Sequence, residues 1–151
     1  MSRMYAISRD GQAVTTSNEV WKVTAPASAV VVLHSAFLGQ YSDAGDASAE
    51  MLRVRIYRTD SNTTGTSGYS NRPFSSGDAV FGGTNTVSST VSTSPRILIR
   101  ESFNVQAGWY YTPTPEERIT VSPGQKLAIY MGAPADSVTM SFRAVIEEIG
   151  T

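Results

Sequence analysis

The feature that most constrains this chain is a period of two. Apolar and polar side chains alternate one for one in several runs, and the helical spacing of 3.6 is nowhere sustained. In Leu52-Arg53-Val54-Arg55-Ile56-Tyr57-Arg58 the aliphatic residues fall on one side and Arg53, Arg55 and Tyr57 on the other. Successive side chains of a strand point to opposite faces, so such a run is a strand with one buried face. Lys126-Leu127-Ala128-Ile129-Tyr130-Met131 repeats the pattern. Residues 138–146 do the same, with Val138, Met140, Phe142, Ala144 and Ile146 inward. Residues 96–103 put Ile97, Ile99 and Glu101 on one side. Val30-Val31-Val32-Leu33 is an unbroken, mostly β-branched run, as in a strand covered on both faces.

Turn chemistry separates these runs. Asp10-Gly11 predicts a hairpin between two short strands. Ala25-Pro26-Ala27 ends the strand that holds Trp21 and Val23. Ser122-Pro123-Gly124-Gln125, with Pro and then Gly at the centre, predicts a type II turn. The only helical candidate is residues 46–51. Eight or nine strands with frequent turns predict an all-β fold, a sandwich or a barrel. A length of 151 residues suits one domain.

Residues 59–95 differ from the rest. Only Asp60, Arg72 and Asp78 are charged there, and seventeen of the thirty-seven residues are Ser or Thr. The segment reads as a long insertion, an extended loop or arm with one weak strand near residues 85–91. Loops of this length are usually functional or disordered. Tyr69, Phe74 and Phe81 argue against a mere spacer, and an ordered arm of this composition is expected to be held by a neighbour.

Composition excludes several functions. The formal net charge is −1, so no basic field for nucleic acid is expected. Ten of the twelve basic residues are Arg, the cation that protein interfaces favour. There is no Cys, which rules out disulfides and thiolate metal sites. The first ten residues lack the apolar core of a signal peptide, and no run is long enough to span a bilayer. A protein made and kept soluble in the cytosol is expected, with no cofactor and no membrane partner.

Few residues carry the elements of chemistry. His34 is the only His and lies in an apolar run, where a satisfied strand residue is expected. No Gly-x-Ser-x-Gly elbow accompanies it. Asp43, Asp46 and Glu50 surround Gly45, but their spacing does not match a calcium loop. Turn capping by the aspartates and pairing of Glu50 with Arg53 or Arg55 is the expected reading. Glu101, Glu116, Glu117, Glu147 and Glu148 form a carboxylate pair only if two of them meet across a cleft. Trp109-Tyr110-Tyr111, flanked by Pro113 and Pro115, is a candidate sugar-stacking platform. Alternation sets Trp109 and Tyr111 on one face and Tyr110 on the other, and large aromatics are usually buried. Core or subunit packing is therefore expected for at least one face, and for Trp21.

Five stretches carry a resemblance. They are Gly39-Gln40-Tyr41-Ser42-Asp43-Ala44-Gly45-Asp46, Glu50-Met51-Leu52-Arg53-Val54, Phe103-Asn104-Val105-Gln106-Ala107-Gly108, Pro113-Thr114-Pro115-Glu116-Glu117-Arg118 and Val121-Ser122-Pro123-Gly124. Outside residues 59–95 the chain resembles small β-proteins from tailed-phage and prophage structural regions. More broadly it resembles phage head-decoration (cement) proteins. The resemblance implies an antiparallel, jelly-roll-like β-sandwich over residues 1–151 and a non-enzymatic role. It implies a homotrimer on the virion surface, bound to the major capsid protein. Contact candidates are Tyr69, Arg72, Phe74 and Phe81 in the insertion, with Trp109, Tyr110 and Tyr111. The alternative is a carbohydrate-binding or tail- and fibre-associated module.

Overall fold

The structure, a computed structural model, describes residues 1–41, 49–61 and 65–150. The alternating runs form strands wherever a second strand can take the backbone hydrogen bonds. In chain order they are β1 (Ser2–Val14), β2 (Asn18–Thr24), β3 (Ala29–Gln40), β4 (Met51–Thr59), β5 (Ser70–Pro73) and β6 (Thr84–Ser88). Then come β7 (Arg96–Asn104), β8 (Trp109–Tyr111), β9 (Ile119–Val121), β10 (Lys126–Met131) and β11 (Val138–Gly150). A 3-10 turn, Pro115–Glu117, precedes β9.

Two antiparallel sheets face each other. The first runs β5-β1-β11-β3, with β8 and β9 sharing the far side of β3. The second runs β6-β2-β10-β4-β7. The core between them is the inward half of each alternating run. Leu52, Val54 and Ile56 of β4 are at most 2% exposed, as are Val138, Met140, Ala144 and Ile146 of β11. Trp21 of the second sheet stacks on Phe142 of the first, ring centroids 5.4 Å apart. The all-β sandwich expected from the period is present.

Three local expectations fare differently. The Ser122–Gln125 turn forms, with the Gln125 N–H donating to the Ser122 carbonyl at 2.9 Å and Gly124 at φ 71°. Asp10-Gly11 makes no hairpin: β1 runs through it, and the pair is a bulge with Gly11 at φ 70°. The extra residue is absorbed against the long partner β11, which needs no chain reversal there. The helical candidate ends in β4 at Met51; residues 46–48 lie outside the described residues.

Among the described residues of 59–95 there are two further strands, β5 and β6, where the sequence suggested one. β5 adds to the first sheet beside β1, and β6 adds to the second beside β2. The segment therefore crosses one rim of the sandwich and contributes an edge to each sheet. Its aromatic residues explain why. Phe81 packs edge-on against Tyr5 in the core, and the half-buried Tyr69 meets Phe142 and donates its hydroxyl to the Val20 carbonyl. The chain's own sheets hold this segment in place.

Candidate functional site

The rim opposite the insertion is open. There β7 is the last strand of the second sheet, and its outer side pairs with nothing among the described residues. Inward-facing Ile99, Glu101 and Phe103 lie opposite Ile56, Val54 and Leu52. The register shifts between Ile97 and Ile99, leaving Leu98 as an extra residue that is 44% exposed. An apolar residue bulged out of an edge strand lies where a partner can reach it.

Between this strand and β8–β9 of the first sheet lies a groove of about 690 Å³. Arg58, Leu98, Ile99 and Glu101 form its wall on the second sheet. Tyr110, Pro113, Glu117 and Arg118 belong to the other wall. Two ties cross it. The Trp109 indole N–H donates to Glu101 Oε2 at 2.6 Å, and Arg58 Nη2 donates to the Thr120 carbonyl at 3.2 Å. Burial pushes the Tyr111 hydroxyl above its ordinary value, and the Glu117 and Glu101 carboxylates add to the shift. Those two carboxylates, one on β7 and one in the 3-10 turn before β9, line one groove. Each already accepts a donor from its own chain, Glu101 from Trp109 and Glu117 from the Thr114 hydroxyl at 3.2 Å.

The aromatic trio is split as alternation predicts. Trp109 and Tyr111 are 4% and 8% exposed and stack on one another within the core, while Tyr110 is 58% exposed. Tyr110 rests on the Phe37 ring, centroids 4.9 Å apart, and its hydroxyl accepts from Arg143 at 3.1 Å. The three rings therefore form no common platform. Among the insertion candidates, Phe81 is core and Tyr69 half-buried, whereas Arg72 and Phe74 are exposed at the β5 edge. Arg72 and Phe74 stand at one edge of the first sheet and Tyr110 at the other. The structure does not gather the seven candidates into one site.

His34 does meet an acidic partner. Its Nε2 lies 2.8 Å from Glu147 Oε2, and the Ser2 hydroxyl donates to Glu147 Oε1. The order is Ser–Glu–His, with the carboxylate in the middle. A hydrolytic triad needs the imidazole between the hydroxyl and the carboxylate. The trio lines neither the groove beside β7 nor the hollows at Arg3, Arg100 and Ser17 among the described residues, and His34 is the extra residue where β3 bulges against β11.

Asp43 and Asp46 lie outside the described residues. Glu50 Oε2 accepts the Ala135 N–H at 2.9 Å, and no cluster of three metal-ligating side chains occurs among the described residues. Sequence reasoning missed Leu98, Arg58 and Arg118 in the groove. The one available signal was Ile97-Leu98-Ile99, three apolar residues that break the alternation.

Comparison with protein-family models, with curated proteins and with solved structures gave no match.

Proposed function

We propose that this chain is a non-enzymatic virion structural protein that decorates and stabilises a bacteriophage head. It acts as a homotrimer on the capsid surface, bound to the major capsid protein. The observation that carries the reading is the asymmetry of the two rims. One is closed by residues 59–95, while the other presents the free β7 edge, the bulged Leu98 and a groove bordered by Tyr110. An open strand edge beside exposed apolar groups is a liability unless a partner covers it.

The strand order supports the same reading. With β5 and β6 set aside, β1-β11-β3-β8/β9 faces β2-β10-β4-β7. Alternation of the chain between two four-position sheets suits a jelly roll, an architecture used by viral capsid and lectin domains. Architecture alone assigns no function, so the rim bears the weight. Light scattering on the purified protein, followed by sedimentation with expanded capsids, tests the proposal. Trimers that cosediment support it, and monomers that stay in the supernatant overturn it.

A carbohydrate-binding role is the second reading. It is favoured by Tyr110, an exposed ring beside two carboxylates and two guanidiniums that suit sugar hydroxyls. A glycan array decides it: binding that disappears in Tyr110→Ala supports this role, and a blank array removes it.

A further inference from the structure

On the outer face of the second sheet three arginines stand together. Arg53 and Arg55 are two residues apart on β4 and so share a face. The register places Arg100 of β7 directly opposite Arg55, and Ser102 opposite Arg53. Directly opposed side chains on paired strands have Cβ atoms about 4.5–5.5 Å apart. These four residues and Glu101 bound a hollow of about 440 Å³.

No ion pair within the described chain engages the three guanidiniums. Among the described residues the carboxylate at the border is the exposed Glu101, which accepts from the Trp109 indole through Oε2. Neither Arg53 nor Arg100 forms an ion pair with a described residue. The Arg55 guanidinium lies 5.4 Å from the Tyr130 ring centroid, and its Nε is shielded from solvent with no acceptor. Like charges directly opposed across a strand pair destabilise a sheet. The patch is costly in isolation and complete with an anion.

We infer that this hollow is an oxyanion site that takes a tetrahedral, multiply charged group, phosphate or sulfate. A single carboxylate matches one guanidinium fork. Three guanidiniums with the Ser102 hydroxyl as a further donor match a group with more oxygens and more charge. The site adjoins the groove only at Glu101, which borders both, and does not depend on the role proposed above.

Thermal unfolding tests the assignment. Inorganic phosphate and sulfate are titrated against sodium chloride of equal ionic strength. Binding to the folded state raises Tm with ligand concentration beyond the chloride control. Arg100→Gln and Arg55→Gln weaken the apparent phosphate affinity at least tenfold and raise Tm in chloride, because one of two opposed charges is gone. Arg72→Gln, an exposed arginine on β5, keeps the full response. Phenyl phosphate separates the sources: tighter binding than inorganic phosphate marks a group carried on a larger molecule, and weaker binding marks the free ion. Either result supports the site. Equal Tm shifts in phosphate and chloride overturn it, as does an undiminished response in Arg100→Gln. Should a variant fail to fold, the wild-type comparison of phosphate with chloride still decides.

Discussion

The indole N–H of Trp21 donates to the amide oxygen of Asn85 at 2.8 Å, and the Asn85 amide nitrogen donates to Asn71 at 2.9 Å. Trp21 and Asn85 belong to the second sheet and Asn71 to the first, so one amide joins core, insertion and both sheets. Asn85 is 6% exposed, and its loss strands the indole donor. Removing one partner of a buried hydrogen bond costs about 1–3 kcal/mol. Asn85→Ala is expected to lower stability by about that much, or slightly more as two bonds are lost. Urea unfolding measures it, and an unchanged midpoint would show the contact to be incidental.

Glu19 is fully buried on the outer face of the second sheet. It accepts from the Tyr57 hydroxyl at 2.7 Å and the Ser92 N–H at 3.1 Å, with Lys22 Nζ 3.5 Å away. Burial, and then the adjacent Glu19, push the Tyr57 hydroxyl far above its ordinary value. Tyr57→Phe deprives a buried charge of one donor, at an expected cost of about 1.5–3 kcal/mol. Glu19→Ala leaves Lys22 without this carboxylate and is expected to cost about 3–5 kcal/mol. Calorimetry should rank Glu19→Ala as the more damaging change; the reverse order would contradict the network.

Acid should weaken the fold through Glu147. The Ser2 hydroxyl foremost, and then His34, hold its carboxyl below the ordinary 4.5. A depressed folded-state value favours the folded protein above the unfolded value, and that contribution is lost as pH falls through the folded one. Stability is therefore expected to fall on acidification below about pH 4.5, and Ser2→Ala should flatten this decline. Tm measured from pH 6 to pH 3 in both proteins checks it, and parallel curves would exclude Glu147 as the cause.

The open rim makes a separate prediction. Leu98→Lys places a charge on an exposed edge residue, a change expected to alter stability by no more than about 0.5 kcal/mol. A charged edge resists pairing with another strand. Self-association or capsid binding should be lost while the melting curve is kept. A variant that assembles like the wild type would exclude the β7 edge as the contact.

The inward halves of β4, β10 and β11 were legible because a two-residue period has one structural meaning. Asp10-Gly11 was not. The same dipeptide suits a hairpin or a bulge, and the choice lies with β11, more than a hundred residues away. Residues 59–95 misled for a related reason. Their Ser and Thr read as loop, and only Phe81 and Tyr69 show where the segment attaches. The aromatic trio divided as its alternation required. That Glu101 and Glu117 share a groove was not legible, since a meeting of two sheet edges leaves no mark on either local sequence.

β11 lies between β1 and β3 over almost its whole length, so the middle of the first sheet is the portion of that sheet translated last. A nascent chain halted before Val138 has both neighbouring strands but nothing to separate them. Such a product would not be a smaller stable sandwich. It would display two long unsatisfied edges at once, the state most prone to clump or to recruit chaperones.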